Sequence, residues 1–130
     1  MKIEDLVPPL ELCKKIPAGK FADSALVWTY SCDKTITDPT VERREDVDFC
    51  RRNVVNAPPV YPSPTMAEIL IAEPKIAGIF RYDPDKKLQK VIWVAEYLSE
   101  KCGPVWIHDE TPATAALKLW MELNKEEKEK

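Results

Sequence analysis

The chain has 130 residues, 45% of them hydrophobic and 32% charged, and carries a net charge of −3. That is globular rather than disordered composition, with enough chain to bury one core without disulfide or metal staples. It argues against non-specific nucleic-acid binding, because acids dilute the positive residues nearly everywhere, as in VERREDVD and KEEKEK.

The opening MKIEDLVPPL carries Glu4 and Asp5 and no long apolar core, so it does not read as a secretory signal. No apolar run approaches the roughly 20 residues that span a bilayer. The expected location is cytoplasmic, with no membrane partner. Next, PPLELCKK predicts a short helix entered through Pro8 or Pro9 and ended by Pro17 and Gly19, with Leu12, Cys13 and Ile16 on its apolar side. FADSALVWTYS predicts a strand, with Ala25, Val27 and Thr29 on one face and Leu26, Trp28 and Tyr30 on the other. Asp38-Pro39 resembles a helix start, and Val41, Val47, Cys50 and Val54 make a ragged apolar stripe through TVERREDVDFCRRNVV. PPVYPSP should be extended, since residues before proline avoid the helical region, and residues 57–64 are the natural internal connection.

In the second half, Thr65 to Glu68 is a capping-box pattern that opens a helix over 66–73, stopped before Pro74. KIAGIFRYD predicts a strand and DPDKK a turn. KLQKVIWVAEYLSEKCG fits two periods. As a helix it aligns Leu88, Val91, Ile92, Ala95 and Leu98; as a strand it aligns Val91, Trp93, Ala95 and Tyr97. The β-branched and aromatic VIWV favours the strand. GPVWIHD is a further strand, and Thr111 with Pro112 marks a helix over 112–124 whose apolar side is Ala113, Ala116, Leu117, Trp120 and Leu123. Together these elements predict a single α+β domain over 1–130, an antiparallel sheet packed on one side by helices.

The segments PPLELCKKIPAGKFADSALVW, YPSPTMAEIL and TPATAALKLWMEL resemble segments that recur, in that order, in small uncharacterised proteins of gut bacteria and their phages or mobile elements. The resemblance covers most of the chain and is weakest across 33–56. It implies a compact α+β domain and brings no catalytic motif.

The chemistry-bearing residues point away from catalysis. His108, the one histidine, sits in WIHDETP; in a strand Asp109 points to the opposite face and cannot orient it. Asp109 and Glu110 are accounted for by the helix that follows, whose N-terminus favours acids. Cys32, Cys102 and Ser24 are nucleophiles by type alone, and Ser24 lacks the Gly-x-Ser-x-Gly elbow. Cys13, Cys32, Cys50 and Cys102 are spread singly with no CxxC, so no metal site and no disulfide framework is expected. Three glycines leave no phosphate-cradling loop, and no cofactor is expected.

Strand parity places Phe80 with Tyr82, Trp93 with Tyr97, and Trp106 with His108, each pair on one face of its own strand. Register would gather these six into an aromatic sheet face, with Ile79, Ile92, Val94, Val105 and Ile107 beneath the helices and Lys86, Lys87 and Lys90 at one edge. Such a face either seats the first half of the chain or meets a protein partner. The expected role is a small non-enzymatic accessory or protein-interaction domain. A nucleic-acid platform on the same face is the alternative, and a small hydrolase ranks third.

Overall fold

The computed structural model of the protein describes residues 3–31, 35–52, 54–55, 57–82, 92–101 and 103–128. Helices and antiparallel strands form an α+β arrangement with two three-stranded sheets. The chain divides into two compact units, Met1–Thr65 and Met66–Lys130, with one sheet in each.

In the first unit a 3-10 turn, Ile3–Leu6, leads through Pro8-Pro9 into α1 (Leu10–Cys13). Pro9 has φ −65° and ψ 155°, the extended geometry of a residue just outside a helix. β1 (Leu26–Thr29) is the central strand, antiparallel to β2 (Thr40–Arg43) and β3 (Val60–Pro62). Trp28 lies opposite both Val41 and Tyr61. Val7, Leu26 and Val41 form a buried cluster with Trp28 packed against it. The Trp28 indole donates to the Pro8 carbonyl at 2.9 Å, which ties the proline entry to the sheet.

Ser24 is a second tie. Its buried hydroxyl donates to Leu26 O at 2.8 Å and accepts from the Ser63 amide at 3.3 Å. Arg44 Nε donates to Ser24 O at 2.7 Å and Arg44 Nη2 to its hydroxyl at 3.1 Å. One serine thus joins three separate stretches of chain, and its polar atoms are satisfied where desolvation would otherwise cost most.

Two expectations change here. The helix read from Asp38-Pro39 begins only at Arg44, as α2 (Arg44–Arg51); residues 40–43 are strand β2. Pairing with β1 overrides the helical pattern, because the short β-branched Thr40-Val41 stretch can complete the ladder of a central strand. PPVYPSP is extended as expected, but its middle is a strand of the sheet rather than a free connection. Its prolines are tolerated because β3 is an edge strand, and Pro62 needs no donor on its outer side.

In the second unit α3 (Met66–Ala72) starts directly after Thr65 and ends before Pro74, as the sequence pattern predicts. β4 (Ile76–Tyr82), β5 (Ile92–Ser99) and β6 (Gly103–Asp109) form an antiparallel meander with β5 central. The strand alternative is therefore the one adopted over Ile92–Ser99, while Leu88 and Val91 lie outside the described residues. The DPDKK turn expected over 83–87 and the three edge lysines lie outside the described residues. Gly103, at φ +75°, pairs with Ser99 at the start of β6, a backbone region that disfavours side chains.

α4 (Pro112–Lys128) crosses the sheet and packs on β4, β5, β6 and α3. Its start is capped: the Thr114 amide donates to Thr111 Oγ1 at 3.3 Å, and the Ala115 amide to Thr111 O. Ala113, Ala116, Leu117, Trp120 and Leu123 are all buried, as the helical stripe predicts, and so are Ala115 and Leu119.

Candidate interaction surface

Which sheet face α4 covers is settled by Asp109. Its carboxylate reaches Lys118 of α4 at 2.5 Å, so the residues sharing its face lie on the helix side. Directly paired residues of antiparallel strands share a face. Trp93 pairs with Asp109 and Arg81, Ala95 with Ile107 and Ile79, and Tyr97 with Val105 and Ile76. These form the face under α4. The opposite face carries Phe80, Val94 and His108 in one row, Glu96 and Trp106 in the next, with Tyr82 beside Ile92 and Leu98 beside Pro104.

Of the six expected surface residues, four are together: Phe80, Tyr82, Trp106 and His108. Trp93 and Tyr97 belong to the helix face, and Ile92 and Val94 take the places expected for them on the aromatic side. The physical reason is Glu96. β5 must turn either Trp93, Ala95 and Tyr97 or Ile92, Val94 and Glu96 towards α4. The second choice would bury a carboxylate beneath a helix, which is costly without a dedicated partner. The first places Ala95, fully buried, at the centre of the sheet, where a small side chain lets a helix with Ala113 and Ala116 come close. A register shift between Ile76 and Gly78 does the complementary work in β4. It brings Ile76 and Ile79, of opposite parity, onto the same helix face and leaves Phe80 and Tyr82 outside.

Trp106 organises the open face. β4 and β6 are separated by β5, about 9.5 Å apart at the usual strand spacing. Even so, the Trp106 and Phe80 ring centroids are 5.6 Å apart and nearly perpendicular, at 79°. Tyr82 stands 6.5 Å from the same indole. The indole therefore reaches across β5, which accounts for the complete burial of Val94 on an otherwise open face. Its N–H donates to Glu96 Oε2 at 2.5 Å, fixing the ring's direction. Trp106 is nevertheless 46% exposed, Tyr82 43% and Leu98 60%.

His108 is exposed on this face. Asp109 is turned away from it, to Lys118 and to the Glu110 amide at 2.8 Å. No relay joins the two. The nucleophile candidates fare no better. Ser24 is held by the hydrogen bonds described above. Cys32 and Cys102 lie outside the described residues. Cys13 is 1% exposed, its thiol donating weakly to Pro8 O at 3.5 Å. Burial pushes that thiol up to about 12 from 9.0, against the opposing pull of the Ser63 and Trp28 side chains beside it. A thiol so held is a poor nucleophile. Among the described residues no group of three or more His, Cys, Asp or Glu side chains is placed to hold a metal ion. Nor is any helix among them long and apolar enough to cross a membrane.

The sequence holds one signal for the placement of Trp93 and Tyr97: Glu96 shares strand parity with Ile92 and Val94, and the side of β5 that carries a carboxylate is the costlier one to bury. The chain matches no protein-family model, no curated protein and no solved structure.

Proposed function

We propose that this protein is a small non-enzymatic accessory domain that binds a protein partner through the open face of the β4–β5–β6 sheet. The observation that carries the reading is the half-exposed Trp106, already held by Glu96, Phe80 and Tyr82. An exposed tryptophan with a prearranged ring is the kind of anchor that dominates interface energies, because little freedom is lost on binding. The partner that fits is a segment presenting an apolar side chain next to a lysine or arginine. The apolar group meets Trp106, Tyr82 and Leu98, and the cation meets the Glu96 carboxylate.

The same carboxylate, and the net charge of −3, weigh against a phosphate backbone on this face. Asp109 is turned from His108 to the opposite face of β6, so the two form no acid–imidazole relay, which weighs against a hydrolase.

The test is recovery of partners from host lysate by the tagged protein, with and without nuclease, beside Trp106→Ala and Glu96→Gln. Partner recovery should survive nuclease. The bound protein, once purified, should bind Trp106→Ala at least about thirtyfold more weakly, the scale of a truncated aromatic anchor. Glu96→Gln can still accept from the indole, so it should weaken binding chiefly at low salt. Nuclease-sensitive recovery, or equal binding by Trp106→Ala, would refute the reading.

A further inference from the structure

The first unit contains a cavity that the proposed interaction does not use. It has a volume of about 410 Å³ and lies between β3 and the end of α1 with the loop that follows, joined by Arg44 from the start of α2. Its lining lies within residues 13–22, 44 and 60–62, and each stretch is flanked on both sides by described residues. Its charge is one-sided. Lys14, Lys20 and Arg44 line it and, among the described residues, no acid does, although acids outnumber bases in the chain, 22 to 19. The acids next along the chain, Asp23 and Glu45, line a second cavity that has only Arg44 in common with this one.

The two ammonium groups can be reached from solvent. That of Lys14 stands 5.7 Å from the centre of the Tyr61 ring, itself part of the wall, and the Lys14 side chain is 36% exposed. Glu11 lies 3.9 Å from it, but the Glu11 side chain is 86% exposed, and an ion pair so screened by water neutralises little. Lys20 is exposed. It sits between two left-handed residues, Gly19 at φ +86° and Phe21 at φ 55°, and its amide donates to Pro17 O at 3.1 Å. A bulky residue keeps that conformation only where its surroundings fix it, so the loop that brings Lys20 to the wall has one course rather than many. Arg44 is held by Ser24 through Nε and Nη2, and both acceptors are neutral oxygens, so its charge stays uncompensated there.

These groups limit what the cavity takes. A cation would meet three like charges. A neutral apolar molecule would strip water from the ammonium groups and return no counter-charge. An anion suits all three cations. The volume is in the range of small-molecule sites, and Ile16, Val60 and the Tyr61 ring give an apolar body its seat.

We infer that this cavity binds a small organic anion. Its oxyanion head, phosphate or carboxylate, meets Lys14, Lys20 and Arg44, and its apolar body lies along Ile16, Val60 and Tyr61.

The test is titration of the full-length protein, followed in a ¹⁵N–¹H spectrum, with phenyl phosphate, benzoate and benzyl alcohol at millimolar concentration. At least one of the two anions should shift amides centred on residues 13–22 and 60–61, and benzyl alcohol should not. Tighter binding of phenyl phosphate assigns a phosphate head, and tighter binding of benzoate a carboxylate. Lys14→Gln and Lys20→Gln, both at exposed positions, should each raise Kd at least about fivefold, the scale of one lost charge-assisted contact. Lys15→Gln makes the same charge change at an exposed neighbour outside the wall, and should leave Kd within about twofold. The inference is overturned if neither anion moves these amides, or if benzyl alcohol moves them as strongly. It is equally overturned if Lys14→Gln and Lys20→Gln bind like the parent, or if Lys15→Gln weakens binding as much as they do.

Discussion

Alkylation of Cys13 in the native protein should be far slower than that of Cys50, and the factor follows from its surroundings. Cys13 is 1% exposed, and burial pushes its thiol from 9.0 to about 12. At pH 8 a thiol at 9.0 is about one-tenth thiolate, and one at about 12 is about one part in ten thousand, roughly a thousandfold less nucleophile. Coverage by the surrounding chain slows it further. The same perturbation sets a pH dependence of stability. The folded value is raised, so the contribution of the neutral thiol is fully present below pH 9. It is lost as pH rises towards 12, because the unfolded chain releases its proton first. At pH 10.5 the loss is about 2 kcal/mol, and residual solvent screening makes that a ceiling. Urea unfolding of the parent and of Cys13→Ala from pH 7 to 10.5 isolates this effect, since tyrosine and lysine titrations are common to both proteins. The parent's stability relative to Cys13→Ala should fall by up to about 2 kcal/mol between pH 8 and 10.5. Peptide-resolved alkylation at pH 8 completes the assay. A Cys13 rate within tenfold of Cys50, or a stability difference flat across that range, would refute the reasoning.

Two substitutions test the ties described above. Thr111→Ala removes the hydroxyl that accepts from the Thr114 amide at the start of α4, and should cost about 1 kcal/mol in urea unfolding, with Thr111→Ser largely neutral. Arg44→Met leaves Ser24 O and its hydroxyl without their guanidinium donors, and should cost about 2 kcal/mol by the same measurement. A loss under about 0.5 kcal/mol would mean that water replaces the guanidinium without penalty.

Some of the architecture could be read from local chemistry. Pro112 after Thr111 and the apolar stripe from Ala113 to Leu123 specify α4, because capping and helical periodicity are properties of contiguous residues. Thr65 to Pro74 bounds α3 for the same reason. VIWV favoured strand over helix through the bulk of its side chains, and β5 is a strand. TVER gave the wrong element because its partner, β1, lies more than ten residues away, and ladder pairing is not visible in a local window. The same limit governs the candidate surface.

Alternation along each strand was legible, so Phe80 and Tyr82, and Trp106 and His108, were rightly paired within their strands. Alternation says which residues of one strand share a face; it does not say which face meets which across neighbouring strands. Only the tertiary structure decided that. The shift after Ile76, the position of Ala95 beneath α4 and the cost of burying Glu96 together turned Trp93 and Tyr97 to the helix side. The cavity beside α1 was equally out of reach of the sequence, because Lys14, Lys20 and Arg44 share it only once α1, the loop after it and the start of α2 have come together at β3. Local propensity and periodicity reside in the chain, whereas register and the meeting of distant charges are settled by what must be buried.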